Sequence, residues 1–160
     1  MARKTMKPRA VILDDNPLLK TMERLEEYLL APMGGRTQAW AERVGWVLGE
    51  LGDALAQHQT EAEADAGPFA PDELKGPMLP AMDQRVEKFH QDHERLQSLT
   101  RTIRMQLQEI AQPFADSPKV IDLLRIRRRG RQLLRDIRLH KESETILLME
   151  NVIMDIGAGD

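Results

Sequence analysis

The stretch that decides the fold covers residues 81–112 and reads AMDQRVEKFHQDHERLQSLTRTIRMQLQEIAQ. Its apolar side chains recur at alternating steps of three and four residues, the period of one face of an α-helix. The residues of this stripe are Met82, Val86, Phe89, Leu96, Ile103, Leu107 and Ile110. Because so long a stripe has to be buried against other helices, the stretch predicts one long helix of a helical bundle.

Proline and glycine divide the rest of the chain into three more helical segments. Asn16 as N-cap and Pro17 at the first helical position open a helix over residues 16–31, which APMGG ends. A second helix covers residues 36–65 and stops at AGPFAPDELKGPMLP, and the last covers residues 118–156 and stops at GAGD. Short connections between four long helices predict an all-α, up-down-up-down four-helix bundle.

The same apolar spacing in the second and fourth segments defines the expected core. We predict that it contains Trp40, Val44, Leu51, Val86, Phe89, Leu96, Ile103, Leu133, Ile137 and Leu147. A chain of 160 residues is long enough for one such core. We place the bundle at residues 14–156, between an N-terminal extension at 1–13 and a C-terminal tail at 157–160.

Composition excludes several classes of function. The net charge of -3 gives no reason to expect nucleic acid as a partner. The absence of cysteine excludes disulfides, thiolate metal sites and a cysteine nucleophile. No segment resembles a signal peptide or a membrane span, so a soluble cytoplasmic protein is expected. Phosphate-binding loops, nucleophile triads and dinucleotide fingerprints do not occur, and we expect a binding protein and not an enzyme.

Polar residues interrupt the apolar stripes at corresponding depths. His58 takes the position that follows Leu55, and His93 takes the position between Phe89 and Leu96. His140 and Glu144 take the two positions between Ile137 and Leu147. Folding the chain at its turns brings these residues into one layer near the end of the second helix. Buried imidazoles and carboxylates need partners, and a metal ion is the partner that suits both.

Other candidate ligands lie near this layer. Glu63 follows His58 by five residues and is rotated from it by about 140°, so it needs the helix end to turn it inward. Glu61 and His90 lie beside the stripes, and Asp14 and Asp15 fall at the same depth before the first helix. We therefore include Glu63 in the predicted ligand set and treat the other four as additional candidates.

The second half of the chain resembles the hemerythrin-like (HHE cation-binding) domains, four-helix bundles that hold a non-haem di-iron site. HERLQSL from His93 is similar to the family's His-Glu-x-Leu opening, and HKESETILL supplies His140 and Glu144 at the family spacing. The first half departs from the pattern: HQTEAEADAGPFAP keeps His58 but has Ala62 where glutamate is expected. LDDNPLL offers Asp14, Asp15 or Asn16 in place of a histidine.

The resemblance covers about residues 14–155 and implies non-haem iron, in a protein that senses or carries oxygen, nitric oxide or iron. The missing histidine leaves three alternatives: a di-iron site with an aspartate substituted, a site for a single metal ion, or a relic that binds none. The expected partners are a metal ion and a small diatomic ligand. The alternative function is a metal-free helical bundle that binds a protein partner through an acidic first helix or the arginine-rich RIRRRGRQLLRDIR.

Overall fold

The computed structural model describes residues 16–64, 80–112 and 120–157 of the chain. They form four α-helices: α1 (Pro17–Leu30), α2 (Thr37–Glu63), α3 (Pro80–Ala111) and α4 (Val120–Gly157). No strand occurs among the described residues. The all-α four-helix bundle is confirmed. The predicted N-terminal extension, the candidate ligands Asp14 and Asp15, and residues 158–160 of the predicted tail lie outside the described residues.

Local sequence explains how α1 begins and ends. The Asn16 side chain accepts a hydrogen bond from the backbone N–H of Leu18 at 3.0 Å, and Pro17 occupies the first turn. Gly34 and Gly35 turn the chain toward α2 with φ values of 53° and 77°, a region that favours glycine because it lacks a Cβ atom. These features match the predicted N-cap and turn.

Each helix packs against its neighbours in sequence, and α1 also packs against α4. Side-chain pairs mark the four contacts: Arg24 with Glu50, Gln97 with Gln59, Arg95 with Asp136, and Arg138 with Glu26. In each of these four pairs of helices, residue numbers rise along one helix as they fall along the other. The four pairs therefore run antiparallel, as expected of an up-down-up-down bundle.

The core forms two apolar clusters with a polar layer between them. All ten predicted core residues are buried. The larger cluster extends from the α1–α2 turn to Leu55 and Leu96, and the smaller one contains Val86, Phe89 and Leu147. Between them lie the buried polar side chains His93, His140 and Glu144. The bundle thus encloses ionisable groups at one depth, where the interrupted stripes predict them.

The arginine-rich stretch of α4 divides between the interior and the surface. Arg127 is half-buried, donates to the Ala31 carbonyl and lies 5.3 Å from the centre of the Trp40 ring, so it joins three helices. Arg138 pairs with Glu26 of α1 at 2.6 Å. Arg127 therefore packs into the bundle, whereas Arg138 lies on its surface. Of the described helices, none has the length and apolar character needed to cross a bilayer.

Candidate metal centre

Three imidazoles from three different helices converge in the polar layer. His58 lies near the end of α2, His93 in α3 and His140 in α4. One ring nitrogen from each falls within 4.8 Å of the other two. Ring centroids are 4.6 Å apart for His93 and His140, 5.3 Å for His58 and His93, and 5.9 Å for His58 and His140. The helical period alone puts these side chains on inward faces, and antiparallel packing brings them together.

His93 and His140 are buried and His58 is half-buried, and each ring has at least one buried nitrogen without a hydrogen-bond partner in the described part of the chain. His93 is 2% exposed and His140 3% exposed. Among the described residues, no hydrogen bond reaches Nε2 of His58, Nε2 of His93 or either ring nitrogen of His140. A buried polar atom without a partner costs about 1–3 kcal/mol of folding free energy. Three imidazoles that converge in this way form a donor set that suits a transition metal ion.

Glu63 fixes the orientation and tautomer of His93. The Nδ1 atom of His93 lies 2.7 Å from Oε1 of Glu63. Because a carboxylate only accepts hydrogen bonds, Nδ1 must carry the proton, and Nε2 of the neutral ring then presents its lone pair to the cluster. Metal-binding histidines are commonly held by such a carboxylate. Glu63 is the last residue of α2, and its carboxylate contacts His93 and is not part of the group of converging ligand atoms, so its predicted role as a ligand stays a prediction.

Glu144 brings a carboxylate to the edge of the imidazole cluster. Its Oε2 lies 3.5 Å from Nε2 of His58, an ion-pair distance without a hydrogen bond. The same oxygen contacts the ammonium group of Lys141 one turn earlier in α4. The Glu144 side chain is 9% exposed, so this negative charge is held inside the bundle. A metal ion bound at the cluster would have to compete with Lys141 for this oxygen.

Burial keeps two of the imidazoles neutral. Desolvation, the largest cause, and the neighbouring His93 and His58 rings together lower the pKa of His140 to about 3. Desolvation also lowers the pKa of His58, against the opposing effect of the Glu144 carboxylate. A metal ion binds the neutral form of imidazole. At neutral pH these rings are therefore ready to bind a metal ion without first losing a proton.

Phe89 separates the imidazoles from a surface cavity. Its ring stacks on His140 with centroids 4.4 Å apart and meets His93 edge-on at 4.5 Å. Beyond it, a cavity of about 210 Å³ opens between α3 and α4 and is lined by Arg85 and Lys88, among others. The ring thus forms the inner wall of a cavity that leads toward the cluster.

The remaining candidates take different positions. Glu61 is exposed and accepts a hydrogen bond from Gln57 at 2.8 Å, on the outside of α2. His90 is half-buried beside Phe89, and its Nε2 is buried without a hydrogen-bond partner. Asp14 and Asp15 lie outside the described residues. The described part of α1 buries only apolar side chains and Thr21, so the cluster is built from the other three helices.

Sequence reasoning missed two contributors to the site, Lys141 and Phe89. Lys141 lies three residues before Glu144, and that spacing alone places the two side chains on one helix face. Phe89 lies four residues before His93, which places the two rings together, but the stack on His140 depends on packing between helices.

The chain matches no protein-family model, no curated protein and no solved structure. The resemblance to hemerythrin-like domains therefore rests on the quoted motifs alone.

Proposed function

We propose that this bundle is a hemerythrin-like, non-haem metal-binding protein whose site holds a single metal ion. His58, His93 and His140 are its nitrogen ligands, and Glu144 supplies an oxygen. The observation that carries the proposal is the convergence of unpartnered, buried ring nitrogens within 4.8 Å of one another. Imidazole and carboxylate together suit divalent first-row metals, and the family resemblance favours iron.

The spacing favours one ion over two. A metal ion about 2.1 Å from each nitrogen holds its ligand atoms about 3–4 Å apart, so small side-chain rotations suffice to close the cluster around one ion. One ion would then take all three histidines as its ligands. A second ion would then need its ligands from elsewhere, and the described part of α1 offers none that is buried. This is the single-metal alternative of the three that the sequence leaves open.

The chain's own residues prepare the site. Glu63 holds His93 with Nε2 facing the cluster. Burial keeps His58 and His140 neutral by lowering the pKa of each ring. The Lys141 ammonium group contacts Glu144 and neutralises its charge. Binding of a metal ion by Glu144 would require the release of this contact, because two positive charges cannot share one oxygen at low cost.

Such a site suits reversible binding of a small ligand. An ion held by three imidazoles and one carboxylate retains open coordination positions, where iron binds diatomic molecules. The cavity between α3 and α4 would bring a small ligand as far as Phe89, whose ring separates the cavity from the cluster and would have to move to admit the ligand. No described residue beside the cluster has the geometry of a nucleophile paired with a base, so we propose sensing or carriage of oxygen, nitric oxide or iron and not catalysis.

Anaerobic titration with Co(II), whose visible absorption reports nitrogen and oxygen ligands, tests this function. The wild type should bind one equivalent, and Fe(II) in excess should compete with Co(II) for the same site, since divalent cobalt binds such ligands more tightly than divalent iron. His58→Ala and His140→Ala should each weaken binding at least tenfold, roughly the loss caused even by removing a group that only orients a ligand. His90→Ala is the matched control and should bind as the wild type does. Absence of saturable binding would favour the metal-free bundle.

A further inference from the structure

We propose that the face formed by α1 and α4 is a dimer interface that binds a second copy of this chain. It lies on the outside of the bundle and is independent of the imidazole cluster. Its two helices carry stripes of opposite charge, each ended by exposed leucines. The proposal follows from how these stripes are spaced and how they are aligned.

The α4 stripe is basic. Arg128, Arg131 and Arg135 are exposed and form no ion pair or side-chain hydrogen bond with any described residue. Leu124 and Leu139 flank them and are 55% and 54% exposed. At 100° per residue these five side chains fall within about 80° of helix circumference. The outer face of α4 is thus a row of three arginines between two leucines.

The α1 stripe is its acidic counterpart. Glu23 and Glu27 are exposed, and their carboxylates have no partner among the described residues. Leu19 and Leu30, 36% and 64% exposed, lie at the two ends. These four side chains also span about 80° of their helix. The α1 stripe thus places these two carboxylates between two exposed leucines.

Both stripes border one groove. Leu29 and Leu30 of α1 form one wall of a surface groove of about 520 Å³, and Leu124, Arg128, Arg131 and Arg135 line the other side. Leu29 packs against Gly130, which fixes the register of the two antiparallel helices. Counting from that contact, Glu27 lies about level with Arg131, Glu23 with Arg135 and Leu19 with Leu139.

This alignment matches a two-fold axis parallel to the bundle. Such an axis places α1 of one copy over α4 of the other and keeps every residue at the same position along the bundle axis. Glu27 then faces Arg131 of the second copy, Glu23 faces Arg135, and Leu19 faces Leu139. Every contact occurs twice, as an isologous interface requires. Within a single chain the same charges lie side by side on one surface and form no ion pair.

A second copy fits this face better than nucleic acid does. A chain with a net charge of -3 repels a long polyanion, and the acidic α1 stripe borders the arginines directly. A partner with its own alternating basic and acidic stripes meets attraction along both helices. The leucines at the ends also need apolar partners, which phosphate groups do not provide.

Sedimentation of the full chain tests the interface through charge exchange. Wild type should show a monomer–dimer equilibrium whose dissociation constant rises as salt screens the exposed charges. Arg131→Glu/Arg135→Glu and Glu23→Arg/Glu27→Arg should each weaken the dimer at least about 100-fold, because like charges then face each other. Mixing the two variants should restore a dimer, since both contacts become attractive again. Arg43→Glu/Arg101→Glu, exposed on α2 and α3, is the control and should leave the equilibrium unchanged.

Several results would overturn the proposal. They are a wild type that remains monomeric at about 100 µM, reversals that leave the dimer intact, and reversed variants that do not associate when mixed. Salt-sensitive binding of monomeric wild type to a single-stranded oligonucleotide, lost in Arg131→Glu/Arg135→Glu, would assign the face to nucleic acid instead. Circular dichroism of each variant establishes that the helices are intact.

Discussion

Substitution of His93 by leucine has opposite consequences in a metal-binding site and in a metal-free core. The His93 side chain is 1% exposed, its Nδ1 lies 2.7 Å from Glu63, and its Nε2 has no hydrogen-bond partner among the described residues. Leucine is of similar size and removes both nitrogens. The change therefore deletes one expected ligand while leaving the helix and its packing nearly as they are.

Without metal, the variant should be as stable as the wild type or more so. Removing the unpartnered Nε2 relieves about 1–3 kcal/mol. Loss of the bond to Glu63 opposes this by about 1 kcal/mol, a small loss because Glu63 is 27% exposed and can be hydrated. We expect the free energy of unfolding to change by between zero and about +2 kcal/mol.

With metal, the order should reverse. A ligand at 100 times its dissociation constant stabilises the folded state by about 2.7 kcal/mol. In a chain of this length, that raises the melting temperature by roughly 5–10 °C. The leucine variant should lose most of this shift, because fewer ligands remain. His90→Leu, the same exchange three residues away, should keep the shift.

Thermal melts followed by circular dichroism, in anaerobic Fe(II) and in chelator, give the melting temperatures of the wild type and of both leucine variants with and without metal. A wild type that melts identically in both conditions, together with a leucine variant that melts higher in both, would refute the metal-site reasoning. A variant that retains the full metal-dependent shift would show that the ion binds without His93.

Three further predictions concern stability. Burial lowers the pKa of His140 to about 3, so below pH 6.5 the unfolded chain of the metal-free protein gains a proton that the folded chain does not. The free energy of unfolding of the metal-free protein should be highest above pH 6.5. This residue should lower it by about 1.4 kcal/mol per pH unit as the pH drops toward 3, as urea titrations would show. A flat profile would mean that the ring is not held neutral. Gly52→Ala should raise the free energy of unfolding by about 0.5–1 kcal/mol, since its new methyl group meets only Thr100 at 3.9 Å. Gly130→Ala should lower the free energy of unfolding, because its methyl group would lie 2.7 Å from Leu29. Equal effects of the two changes in denaturant titrations would contradict this packing. Arg127→Gln should lower the free energy of unfolding by about 1–2 kcal/mol, because the contacts with Ala31 and Trp40 are lost. Arg128→Gln should change it by less than about 0.5 kcal/mol. The reverse order in the same titrations would show that Arg127 is solvated.

Periodicity predicts the fold and most of the imidazole layer because both depend on which helix face each residue occupies. The stripe of α3 passes through position 93 and skips position 90, and the structure buries His93 while leaving His90 half-buried. Folding the chain at its turns places His93 and His140 at one depth, and their ring centroids are 4.6 Å apart.

Other features depend on geometry that spacing does not encode. Glu63 reaches His93 because α2 ends at that residue, and a helix end has no fixed angular relation to the turns before it. The stack of Phe89 on His140 depends on side-chain rotamers and on the distance between two helices. The sequence therefore predicts which residues meet better than it predicts how they orient one another.

Metal analysis of the protein purified from iron-supplemented cells tests the central claim most directly. We expect about one iron per chain in the wild type and in His90→Leu, since one set of ligands converges at one point. His93→Leu, purified in parallel, should contain far less. Wild-type protein that carries no more metal than His93→Leu would contradict the account and leave a metal-free bundle.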